Sequence, residues 1–119
     1  MDFMRFVAAH GEWKLTLKRA LEAQHPHVSS EHVRHDDRCE FGKFYYQLPD
    51  ADRCSECGLE VREKHAEFHV EAARVLELME QQRWQEAYDA ISPGSDFERL
   101  SRELTRLMFS WNQELSAKP

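Results

Sequence analysis

The chain has 119 residues, with 16 basic and 22 acidic side chains and a net charge of −6. That length suits one domain with a single core, expected here over 1–119. The Lys and Arg are scattered among Asp and Glu without a basic stripe, which argues against a nucleic-acid surface. No apolar run approaches the roughly 18–20 residues of a membrane span, and no signal-peptide pattern opens the chain, so a cytoplasmic protein is expected.

Apolar residues recur at helical spacing almost throughout, and only four Gly and four Pro interrupt them. From Asp2 to about Gln24, the series Phe3, Phe6, Val7, His10, Trp13, Leu17, Leu21 defines one face of a helix. The polar stretch 25–38, with Pro26, reads as a connection holding at most one irregular turn. Residues 39–48 form a short amphipathic helix that Asp36 or Asp37 would cap. Pro49 and "DADRCSECG" mark a further connection. A long helix is expected from about Leu59 to Gln82, with Val61, His65, Phe68, Ala72, Val75, Leu76 and Met79 inward. Residues 83–91 add a helical turn or two, and "SPGSD" (92–96) breaks the pattern. A last helix from Phe97 to about Ser116 buries Leu100, Leu104, Leu107, Met108, Trp111 and Leu115. The expected fold is therefore all-α, an antiparallel four-helix bundle with one or two short additional helices.

Chemistry concentrates on the long helix. His65 and His69 stand at i and i+4, so both rings leave the same apolar face one turn apart, as a bundle-core metal requires. Two helix histidines satisfied by core hydrogen bonds are the plain alternative. A zincin H-E-x-x-H site is excluded, because Ala66 occupies the position of its general base. His10 lies on the inner face of the first helix between Phe6 and Trp13 and is the candidate third ligand. Buried there, its imidazole needs a partner.

Two sets of thiols compete for the fourth position. Cys39 opens the short helix, where the helix dipole and free N–H groups would favour a thiolate. Cys54 and Cys57 form a C-x-x-C pair and give a linear C-x2-C-x7-H-x3-H pattern. Its seven-residue spacer falls short of the roughly 12–15 expected of a zinc finger, and the pattern leaves His10 and Cys39 unused. The pair otherwise reads as two exposed loop thiols. The three cysteines are a poor disulfide framework. Trp13, Trp84 and Trp111 read as core or dimer-interface aromatics, and His25, His27, His32 and His35 as a solvated loop.

"HGEWK" (10–14), "CEFGKFYY" (39–46) and "HAEFH" (65–69) together resemble the bacterial chemoreceptor zinc-binding domain, CZB, marked by H-x-x-W, C-x-[FL]-G-[KR]-W-[YIL] and H-x-x-x-H in that order. Phe44 stands where the family usually has Trp, and Cys54 and Cys57 lie outside its pattern. The resemblance implies Zn²⁺ held by His10, Cys39, His65 and His69 in a four-helix bundle that commonly pairs as a homodimer. It also implies a non-enzymatic sensory role for zinc or for oxidants such as hypochlorous acid. In the family such domains are attached to chemotaxis or diguanylate cyclase signalling domains; this chain holds neither, so it acts on a separate partner or belongs to a longer receptor or cyclase. The rival reading is a metal-dependent enzyme similar to the DinB-like hydrolases and thiol transferases, with an open three-histidine site that leaves Cys39 unbound. A third is a zinc-stabilised dimerisation module without sensing.

Overall fold

A computed structural model describes residues 4–26 and 28–117; Phe3 and His27 lie outside them. Eight helical segments are found among the described residues: α1 (Met4–Gly11), α2 (Trp13–Ala23), α3 (Ser30–Val33), α4 (Glu40–Tyr46), α5 (Asp50–Arg53), α6 (Glu56–Glu80), α7 (Trp84–Ala90) and α8 (Asp96–Ser116). The chain is an all-α helical bundle, and no helix among the described residues is long and apolar enough to cross a membrane.

The helix expected over 2–24 is observed as α1 and α2 with Glu12 between them. Glu12 keeps right-handed helical dihedrals and bonds to Ala8 and Thr16 at 3.0 Å, so the two segments run on as one rod. The rod ends in a Schellman turn. Gln24 adopts φ 52°, its N–H reaches the Leu21 carbonyl, and the His25 N–H reaches that of Ala20. The same device ends α6, with Gln82 at φ 60° and the Arg83 N–H on the Leu78 carbonyl.

The polar connection holds one turn, α3, whose N-cap Ser29 accepts from the His32 N–H. Buried Ser30 ties this turn to the far end of α6, since its N–H and Oγ donate to the Glu80 carboxylate at 3.0 and 2.7 Å. Two expectations need correction. Residues 50–58 are not merely a connection, because α5 forms there and α6 starts at Glu56, capped by Ser55 accepting from the Gly58 N–H at 3.1 Å. Cys57 consequently sits in the first turn of α6, half-buried, and is not a loop thiol. The short helix is capped by Cys39 itself and not by Asp36 or Asp37.

Residue pairs fix the helix directions. Phe68 meets Phe97, Lys64 meets Glu103, and Cys57 approaches Leu107, so α6 and α8 run antiparallel. Phe41 packs on His65 while the Tyr45 hydroxyl donates to the Gly58 carbonyl, so α4 also opposes α6. Lys14 reaches Glu98 at 2.6 Å, setting the α1–α2 rod against the start of α8.

Trp111, Phe41, Phe68, Phe97, Leu17, Leu76, Met79, Leu104 and Met108 fill the core. Leu100 and Leu115 are only half-buried, because each lies at the margin of the buried face of α8. Of the three tryptophans Trp111 is enclosed, whereas Trp13 and Trp84 pack partly exposed against the core.

Candidate metal centre

Three elements deliver the four candidate ligands. His10 is on the last turn of α1, Cys39 is the N-cap of α4, and His65 and His69 are consecutive turns of α6. The histidines are 4, 2 and 3 % exposed. His65 Nε2 is 3.1 Å from His10 Nε2, 3.1 Å from His69 Nε2 and 3.3 Å from Cys39 Sγ. One donor atom from each of the four residues lies within 4.8 Å of the others.

The outer ring nitrogens decide the tautomers. His10 Nδ1 is 2.8 Å from the Phe6 carbonyl and His69 Nδ1 is 2.8 Å from the Val33 carbonyl. A carbonyl oxygen only accepts, so both Nδ1 atoms carry the proton and both Nε2 atoms turn a lone pair inward. His65 Nε2 can donate to one of these neighbours at most. At least one pair of lone pairs is thus left facing at 3.1 Å inside a buried cluster, an arrangement that a cation relieves. A tetrahedral zinc with bonds of about 2.05 Å to nitrogen and about 2.3 Å to sulfur separates its donors by about 3.3–3.6 Å. The separations of 3.1 and 3.3 Å around His65 Nε2 lie at or just below the lower edge of that range, and all four donors are within 4.8 Å of one another, so small side-chain shifts would seat the ion.

Burial also keeps the rings neutral, as ligands must be. It lowers His10 to about 4, partly offset by the Phe6 carbonyl, and holds His65 and His69 below the usual histidine range. The thiol behaves otherwise than its helix position suggested. Burial raises Cys39 and outweighs the Gly42 N–H that favours the thiolate.

Gly42 explains part of the local design. Its N–H donates to Cys39 Sγ at 3.3 Å, and a Cβ there would stand 1.9 Å from the Asp36 carbonyl oxygen. Only a residue without a side chain lets α4 seat its first turn on the 36–37 backbone. Aromatic rings close the remaining sides. Phe41 lies edge-on to His65 at 4.9 Å, Phe68 to His10 at 5.6 Å, and Phe44 stacks on Phe6 at 5.1 Å.

The structure brings together His10, Cys39, His65 and His69 and leaves the C-x-x-C pair apart, with Cys54 exposed and Cys57 directed at the Leu107 carbonyl. Of the loop histidines, His35 lies 3.4 Å from Glu31. Sequence reasoning missed the outer partners. Phe6 and Val33 act through backbone carbonyls, which no side-chain pattern signals, and the Asp36 carboxylate, one of two expected helix caps, instead faces His65 Nδ1 at 4.0 Å.

No curated protein and no solved structure matches the chain. Residues 10–76, more than half of it, match the family described as the chemoreceptor zinc-binding domain, and the four converging residues all fall in that span. Zinc is the metal this family binds, and the three-imidazole, one-thiolate cluster could hold it. The chain belongs to the chemoreceptor zinc-binding domain family.

Proposed function

We propose that His10, Cys39, His65 and His69 hold one Zn²⁺ in a closed tetrahedral site, and that the chain is a non-catalytic sensory domain of bacterial signal transduction. The observation that carries this reading is the position of Cys39, whose Sγ stands 3.3 Å from His65 Nε2 where a hydrolytic site would keep water. Bound zinc supplies a cross-link that fastens α1, the start of α4 and the middle of α6. The signal is zinc availability or an oxidant such as hypochlorous acid. Cys39 is the oxidisable ligand: its thiolate sulfur takes oxygen from hypochlorous acid, giving the sulfenic acid and chloride. Loss of that ligand loosens α4 on α6, and the altered bundle packing is passed to a homodimer partner or to a chemotaxis or diguanylate cyclase module.

Zinc content per chain, measured by elemental analysis on wild type and variants, tests the reading. One zinc is expected, with weakened binding in Cys39→Ala and His10→Ala and none lost in Cys54→Ala. Undiminished zinc in Cys39→Ala would favour an open three-histidine site with hydrolase-type chemistry, and loss in Cys54→Ala alone would move the site to the C-x-x-C pair.

A further inference from the structure

The outer nitrogens of the three histidines are not served alike. His10 and His69 each give Nδ1–H to a backbone carbonyl at 2.8 Å. His65, the ring whose Nε2 touches all three other donors, has only the Asp36 carboxylate opposite Nδ1, at 4.0 Å. That is too long for a hydrogen bond, and about 1 Å of movement would close it. Asp36 faces Nδ1, whereas the other three donors meet Nε2, and it is not one of the four converging ligands.

The carboxylate is held from behind. The Tyr46 hydroxyl donates to Asp36 Oδ2 at 2.8 Å. Tyr46, Asp36 and His65 thus form a polar chain from the surface to the cluster. It emerges at a surface cleft lined by His35, Asp36, Asp37, Lys43 and Tyr46. Charge gives the arrangement a reason. Two positive charges on zinc and one negative on the thiolate leave a buried centre at +1, and Asp36, 24 % exposed at its side chain, brings it to neutrality.

We propose that Asp36 is the positioning residue of this centre, its carboxylate accepting the His65 Nδ1–H when metal is bound and thereby setting zinc affinity. This rests on the ligand set proposed above.

Zinc affinity of Asp36→Ala, measured by competition with a chromophoric chelator, is expected to fall about 10–100-fold with the stoichiometry unchanged. Asp36→Asn keeps an acceptor of the same shape without the charge and is expected to fall between wild type and Asp36→Ala. In the zinc-loaded protein, NMR should show a slowly exchanging His65 Nδ1 proton that is lost in Asp36→Ala, while those of His10 and His69 persist; a merely structural role would not single out one ring. Affinities within about twofold of wild type for both variants, or an unchanged His65 Nδ1 proton, would overturn the proposal. Should Asp36→Ala not fold, Asp36→Asn decides alone, with about threefold weakening as support and wild-type affinity as refutation. Cys39→Ala and His10→Ala are measured alongside. If they keep zinc undiminished, the ligand set fails and Asp36 with it, whereas failure confined to Asp36 leaves the ligand set standing.

Discussion

Gly42 shows how much one missing side chain can position. Adding a methyl group there drives a carbon to 1.9 Å from the Asp36 carbonyl oxygen, and backbone on both sides must shift. Gly42→Ala is expected to destabilise the fold by about 1–3 kcal/mol and to weaken zinc binding through Cys39, read by thermal unfolding and chelator competition. The buried histidines make a second prediction at this scale. In the metal-free protein His10 titrates at about 4 instead of 6.5 because burial disfavours its charged form. A lowered imidazole means that the unfolded state takes up protons first as the pH falls. Stability should therefore drop as the pH is lowered through 6.5 towards 4, by on the order of 10 °C in Tm, with His65 extending the loss further. A Tm of the metal-free protein that is flat between pH 7 and 4.5 would contradict this. Three of the four converging side chains were legible as candidates from their own neighbourhoods: His65 and His69 by their spacing, and His10 by its place on an apolar face. Cys39 was not separable from the C-x-x-C pair on that basis, because the choice depends on how α4 folds back on α6, which no local pattern encodes. The carbonyls of Phe6 and Val33 were invisible for a simpler reason, since every residue has one.

Among the helices, type and order were readable and starts were not. The 3.6-residue recurrence identifies α6 and α8 because each lays a continuous apolar face against the other. The first turn of a helix is specified by its cap, and two caps differ from the sequence expectation. Ser55 caps α6 four residues before Leu59, where the apolar pattern begins, and Cys39 caps α4 with sulfur in place of the oxygen usual at that position. Ser95 with Glu98 is a capping-box pattern, and the Glu98 N–H does bond Ser95 Oγ at 3.2 Å. Ser55→Ala removes the acceptor for the Gly58 N–H and should cost about 1 kcal/mol of stability by chemical denaturation, while leaving zinc affinity within about twofold. Loss of zinc in that variant would mean that the start of α6 controls the site two turns further on.

Across the whole molecule the centre joins what the chain separates. His10 and His65 are 55 positions apart in sequence, yet their rings touch. A cross-link between such distant segments contributes most when it closes long loops, and it belongs to the folded state alone. Removing zinc with a chelator should lower Tm by several degrees, and adding back one equivalent should restore it, because a ligand bound only by the folded form stabilises it by an amount that grows with the logarithm of its concentration over Kd. The same cross-link bears on the proposed sensory role. Detaching Cys39 weakens the tie of a short helix that otherwise holds by Phe41, Tyr45 and the Tyr46–Asp36 bond, without dismantling the antiparallel pair of α6 and α8.

The measurement that bears most directly on the closed site is X-ray absorption at the zinc edge of the loaded protein. The account predicts three nitrogen neighbours at about 2.0 Å and one sulfur at about 2.3 Å, with the sulfur shell absent in Cys39→Ala. A shell of nitrogen and oxygen alone in the wild type, or two sulfurs, would contradict it.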